Sequence, residues 1–307
     1  MLDQSGFARM SSIGGFAIYG LFLSWILASA SGTTNEGLLR AVNDAMNGRQ
    51  GAAVAIDVET GQVLASYRMD VAARRVASPG STMKPFTLIA LLEAGLVTEK
   101  TALICPKTVR IGERNLDCSH ATMPGPLDPV LALAYSCNHF FTRMSERLPM
   151  DALYRAFSHA GFNSLTGKWQ TEIPGTVQQP HSKEAMQLMS IGEDSVAVTP
   201  LALAEAYRTL ARRLRDPRSV TPELRLVSKG LQAAVNAGTG QLAASKHVQV
   251  AGKTGTSGGH AWFAGFAPAE RPEIVVVVFL ERGTGGSDAA PIAGRIFDGQ
   301  AMSKAGR

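Results

Sequence analysis

Three short groups of residues in this 307-residue sequence are of the right types to perform one covalent reaction together. The first is Ser81-Thr82-Met83-Lys84. Residues three apart on a helix share a face, so the lysine amine can approach the serine hydroxyl. A free serine is a poor nucleophile, whereas a lysine desolvated beside other cations loses proton affinity and can serve as the activating base. Ser136-Cys137-Asn138 adds a second hydroxyl, suited to passing a proton to a leaving amine, and a side-chain amide that can hold a substrate backbone. Lys253-Thr254-Gly255-Thr256 offers a strand edge with a cation and hydroxyls for a carboxylate. A missing side chain at Gly255 would let a substrate lie against that strand, and the Thr256 N–H could join that of Ser81 as an oxyanion pair. Each group has a plain structural reading: a chance helical Ser-x-x-Lys, polar residues at a helix break, an edge-strand charge. Their occurrence together points to a serine acyl-transfer enzyme in which Ser81 is acylated and Lys84 takes its proton.

The elements that must hold these groups can be read from apolar spacing. Ala52–Ile56 and Val63–Tyr67 are β-prone and separated by Glu59-Thr60-Gly61-Gln62, which predicts a hairpin. From Ser81 to Ala94 the pattern is helical, with Met83, Phe86, Ile89, Leu91 and Leu92 crowding one side and Pro85 in the first turn. Further helices are predicted over Pro129–Arg147, Asp151–Gly161 and Pro200–Leu214. Strands are predicted over Val248–Lys253, Ala261–Phe266 and Glu273–Leu280, with a closing helix over Ala289–Phe297. Strands, a block of helices, then strands again imply an α+β fold with a mostly antiparallel sheet flanked by helices and a separate helical cluster.

Composition narrows the setting. With 45% apolar and 18% charged residues the chain can bury one large core. The net charge of +5 is mild. Its densest basic stretch, Arg212, Arg213, Arg215 and Arg218, follows a helical run where cations complement the dipole. With no interleaved aromatics or nucleic-acid motif, no nucleic-acid partner is expected. Arg9 precedes an uncharged run over Ile13–Ala30 that ends in Ala28-Ser29-Ala30, so residues 1–32 read as a cleaved signal peptide or a retained membrane anchor. Either way residues 33–307 are expected outside the cytoplasm, in the periplasm or on the outer face of the membrane. Cys105 and Cys118 flank a segment able to double back and are the candidate disulfide pair, leaving Cys137 as a small buried residue. The six histidines are scattered and Cys118-Ser119-His120 is only a fragment of a ligand set, so neither a metal nor a cofactor is expected.

The three groups, in this order, are the Ser-x-x-Lys, Ser-x-Asn and Lys-Thr-Gly elements of the penicillin-binding transpeptidases, which the chain resembles from about residue 50 to 283. The runs Ala77–Phe86, Leu133–Phe141, Ser190–Gly192, Thr199–Ala202 and His260–Pro268 also look like that family. The resemblance implies a β-lactamase/transpeptidase-like fold, a peptidoglycan stem peptide ending in D-Ala-D-Ala as substrate, and β-lactam antibiotics as covalent inhibitors. It assigns Ser81 as nucleophile, Lys84 as base, Ser136 and Asn138 as relay and clamp, and Lys253, Thr254, Gly255 and Thr256 as the carboxylate-binding strand. Only about twenty residues separate the apolar run from this core, so cell-wall synthesis partner proteins are expected to position the enzyme. Glu193-Asp194 departs from the Gln-Gly more common in the family. D,D-carboxypeptidase action or a non-turnover penicillin sensor would use the same groups. β-Lactamase action is disfavoured, because Glu172 sits in Thr171-Glu-Ile-Pro-Gly175 and not in the Glu-x-x-Leu-Asn of those hydrolases.

Overall fold

The computed structural model describes residues 32–305. The chain enters through helix α1 (Gly32–Met46), forms the hairpin β1 (Gly51–Asp57) and β2 (Val63–Tyr67), and passes through the short α2 (Met69–Arg74). A 3-10 turn, Gly80–Met83, leads into α3 (Lys84–Glu93). A two-residue ladder of β3 (Arg110–Ile111) with β4 (Arg114–Asn115) precedes α4 (Pro129–Ala134), α5 (Asn138–Ser145) and α6 (Ala152–His159). A second small ladder, β5 (Thr176–Val177) with β6 (Val196–Ala197), brackets α7 (Lys183–Ser190). Then come α8 (Pro200–Arg215), α9 (Pro222–Asn236), the strands β7 (Ala251–Ser257), β8 (His260–Ala267) and β9 (Ile274–Leu280), and α10 (Ala290–Ala305). The main sheet is antiparallel with order β2-β1-β9-β8-β7, so the first hairpin closes on the last strands and β7 is left as an edge.

Strand alternation fills two separate cores. Val54 and Ile56 of β1, with Val275, Val277 and Phe279 of β9, face the helical block; Ala53 and Ala55, with Val276, Val278 and Leu280, face α1 and α10. All seven residues of β9 are buried, as a central strand covered on both faces requires. Three helices share one start signal: Asp128, Thr199 and Thr221 each accept a backbone N–H from three residues ahead, and each is followed by proline at the first helical position.

Two expectations shift. The predicted Pro129–Arg147 helix is broken into α4 and α5 at Tyr135–Cys137, because Ser136 takes a left-handed backbone (φ 57°). The predicted Val248–Lys253 strand lies further along, so that the whole Lys253–Thr256 group falls inside β7. Helices α1, α2, α7 and α9 were not anticipated, although Thr221-Pro222 carries the same start signal as α8. The apolar run 13–30 and its anchor or signal reading lie outside the described residues; among those described, no helix is long and apolar enough to cross a membrane.

Candidate active site

The turn that carries Ser81 is held from several sides. The Lys84 amide donates to the Ser81 carbonyl, closing the turn, and the Gly80 amide donates to the Gly192 carbonyl at 2.9 Å. Gly192 has φ +78°, and a β-carbon there would sit 2.1 Å from the Gly80 oxygen, so this approach requires glycine. Behind the turn, the buried Tyr207 hydroxyl donates to the Thr82 carbonyl at 2.8 Å and Thr87 Oγ1 donates to the Ser190 carbonyl at 2.8 Å. Gly255 does something other than expected. A β-carbon on it would lie 2.4 Å from the Pro79 carbonyl and 3.0 Å from Thr82 Cγ2, so its bareness lets β7 press against the Ser81 turn instead of making room for a ligand. The same packing sets the Thr256 backbone directly beside Gly80, the residue before Ser81.

Lys84 begins α3 and is fully buried. Its Nζ donates to Asn138 Oδ1 at 2.5 Å, to the Ser136 carbonyl at 2.8 Å and to Ser136 Oγ at 3.1 Å. Asn138 in turn donates from Nδ2 to the Leu116 carbonyl at 2.8 Å, which fixes the orientation of its amide. Burial lowers the Lys84 amine to about 8, against a partial upward pull from Cys118, Cys137 and Glu193. An amine so placed can be neutral near physiological pH, accept a proton, and share it with Ser136. The left-handed backbone of Ser136 is the kind of local strain that surrounding structure must enforce, and here it turns the residue's hydroxyl and carbonyl to one ammonium.

Strand β7 closes the other side. Lys253 is fully buried, its Nζ donating to the Thr254 carbonyl at 3.0 Å, and burial together with the Lys84 charge holds it well below the usual lysine range. Thr254 Oγ1 and Thr239 Oγ1 are hydrogen-bonded at 2.7 Å, and Thr256 Oγ1 accepts from the Gly285 amide at 2.9 Å. Ser81, Lys84, Ser136, Asn138, Lys253, Thr254, Gly255 and Thr256 are thus brought onto three adjoining elements. Thr239 and Tyr207 support them without any sequence signal beyond polarity, whereas Gly192 falls in the Ser190–Gly192 run that resembles the family.

A family model described as "Penicillin binding protein transpeptidase domain" matches residues 51–298. The chain belongs to that family. Among curated proteins this transpeptidase domain is similar to the peptidoglycan D,D-transpeptidase PbpA of Mycobacterium tuberculosis, 29% identical across 72% of this chain and 54% of the relative. It is also similar to the peptidoglycan D,D-transpeptidase MrdA of Acinetobacter baumannii, 25% identical across 85% of this chain and 52% of the relative. The chain therefore spans about half the length of these relatives. Solved structures share its fold, among them the following two. Pseudomonas aeruginosa PBP2 in complex with WCK 5153 gives a TM-score of 0.75 at 25% identity, covering 85% of this chain and 76% of that one. Penicillin-binding protein A from M. tuberculosis, an imipenem acyl-enzyme complex, gives 0.74 at 26% identity, covering 87% and 78%.

Within this transpeptidase domain the unusual Glu193-Asp194 pair has a partner. Arg114 of β4 reaches Glu193 at 2.7 Å and Asp194 at 3.3 Å, tying the small β3–β4 hairpin to the segment behind the Ser81 turn. Glu172 accepts from Thr166 Oγ1 at 2.7 Å and from the Gly167 amide, so its carboxylate is engaged in a local turn. The cysteines depart from expectation. Cys105 and Cys118 are free thiols, not a disulfide, with Sγ atoms 3.5 Å apart, and Cys118 Sγ lies 3.8 Å from Cys137 Sγ. His120 joins them: its ligand nitrogen and the three sulfurs all lie within 4.8 Å of one another. Along the sequence the histidines are scattered and Cys118-Ser119-His120 is only a fragment of a ligand set; the fold brings Cys105 and Cys137 beside it.

Proposed function

We propose that this chain is a peptidoglycan D,D-transpeptidase that works through a Ser81 acyl-enzyme. The observation that carries the reading is the buried Lys84 amine, one turn from Ser81 and hydrogen-bonded to both Ser136 and Asn138. Lys84 takes the hydroxyl proton as Ser81 Oγ bonds to the carbonyl of the penultimate D-Ala. The Ser81 and Thr256 amides face the developing oxyanion, and Lys253, Thr254 and Thr256 receive the terminal carboxylate. The tetrahedral intermediate collapses as the C–N bond breaks, with Ser136 passing the proton to the departing D-Ala amine. An acceptor stem-peptide amine then attacks the ester, releasing Ser81 and forming the cross-link. A β-lactam enters by the same first step, but its amine stays tethered and the ester persists. The site works outside the cytoplasm, where peptidoglycan lies, held at the membrane if residues 13–30 are retained, and cell-wall synthesis proteins position it.

The test is incubation of the full chain, in detergent, with a fluorescent penicillin, followed by intact mass, alongside Ser81→Ala. A stable adduct on Ser81 that is lost in Ser81→Ala supports the acyl-enzyme; no adduct on folded protein overturns it. A D-Ala-D-Ala peptide supplied with an amine acceptor then separates cross-linking from carboxypeptidase action: the aminolysis product is expected, and hydrolysis alone would overturn the transpeptidase assignment.

A further inference from the structure

We propose that Cys105, Cys118, His120 and Cys137 form a four-coordinate zinc site that staples the 105–120 segment to the Ser136–Asn138 element. Zinc held tetrahedrally by thiolates at about 2.3 Å and an imidazole at about 2.0 Å places its donor atoms roughly 3.5–3.8 Å apart. The observed sulfur separations of 3.5 and 3.8 Å have that spacing, and all four donors lie within 4.8 Å of one another.

The histidine gives the second, independent sign. His120 is 7% exposed, and its Nδ1 lies 2.7 Å from the Ala121 carbonyl, which can only accept, so Nδ1 carries the proton. The lone pair of Nε2 is therefore left, buried and with no hydrogen-bond partner. A buried acceptor without a partner is destabilising, a cost that a metal removes. Donation from the other ring nitrogen to a backbone carbonyl or a carboxylate is the usual way a metal-binding imidazole is held in its tautomer. The sulfurs have matching outer contacts: the Lys107 amide donates to Cys105 Sγ at 3.4 Å and the His139 amide to Cys118 Sγ at 3.5 Å. Three thiolates and one imidazole suit zinc above the harder divalent ions, and four protein donors leave no position open for substrate, so the role is structural. Binding exchanges the three thiol protons for one Zn²⁺, with no oxidant required. Because Cys137 lies between Ser136 and Asn138, the metal would fix the backbone that presents both residues to Lys84.

The test uses the full chain, purified in detergent without chelators. Elemental mass spectrometry is expected to find zinc at about one per chain. Co²⁺ added to the stripped protein is expected to give thiolate-to-cobalt charge transfer and the strong visible bands of a tetrahedral site. Cys105→Ser and His120→Ala are each expected to lower zinc occupancy by about 10-fold or more. Either variant could misfold, so the unaltered chain decides. Absence of zinc as isolated, together with no thiolate–cobalt band while three thiols remain titratable, overturns the proposal. So does a Cys105–Cys118 disulfide, read as the loss of two hydrogens in intact mass. None of these readouts involves Ser81, and the cobalt spectrum is expected to be the same in Ser81→Ala, so the site stands or falls apart from the acyl-transfer reading.

Discussion

Lys84 must be neutral at the moment it takes the Ser81 proton, and burial has already moved it to about 8. Acylation should therefore accelerate as pH rises through about 8 and level off above it, because deprotonation creates the active base. Second-order rates with a fluorescent penicillin across that range check this; a rate that falls as pH rises through 8 would exclude Lys84 as the base. Lys84→Ala should acylate slower by about 10²-fold or more for the same reason. Gly255 makes a steric prediction. In Gly255→Ala the new methyl meets the Pro79 carbonyl at 2.4 Å, which forces β7 from the Ser81 turn. A displacement of about 1 Å should slow acylation by about 10²-fold. If Gly255→Ala retains full rate, the close approach is not what sets the site. The residue types of the site were legible in the sequence, and the purpose of Gly255 was not. A glycine's neighbour across space is set by how strand and turn pack, which local spacing does not encode.

At the scale of elements, the site is three segments clamped together by side chains outside the motifs. Tyr207 of α8 ties to the Thr82 carbonyl in the Ser81 turn. Tyr207→Phe should destabilise the domain by about 1 kcal/mol in denaturant unfolding and lower the acylation rate, as one buried hydrogen bond is lost. The Arg114 pairing with Glu193 and Asp194 is partly exposed, so Arg114→Ala should cost under about 1 kcal/mol. Metal removal acts on an element as well. Stripping zinc with a strong chelator should release the 105–120 segment from α5 and slow acylation, with recovery on adding Zn²⁺ and not Mg²⁺. The element pattern itself was largely readable: the first hairpin, α3, α6, α8, β8 and β9 fall where apolar spacing puts them, and β7 lies a few residues further along. The break at Ser136 was not, since a left-handed residue inside a helical pattern is stabilised by its contacts to Lys84 rather than by its own propensity.

Across the whole molecule, the sheet divides the apolar interior into a helical-block core and an α1–α10 core. Substitutions on the two faces of β9 should therefore both be costly. Val276→Ala and Val277→Ala are each expected to destabilise by about 2 kcal/mol in denaturant unfolding. A negligible effect at Val276 would mean that α1 and α10 do not cover that face. The same layering places β7 at the sheet edge beside α9 and the Ser81 turn, which is what allows a strand, a turn and a helix break to converge on one site.

The sequence by itself determined the three motif groups and the α+β class, because these depend on residue type and short spacing. Ser81 and Lys84 lie on one turn, whereas β1 and β9 are continuous apolar runs whose two faces are told apart only by what packs on each. Tertiary structure alone decided that Lys84 points to Ser136 and Asn138, that Arg114 answers Glu193 and Asp194, and that Cys105, Cys118, His120 and Cys137 lie together instead of Cys105 and Cys118 pairing with Cys137 left apart. Those neighbours are distant along the chain, and their distances are fixed only when whole elements pack. Local spacing carries no record of that packing.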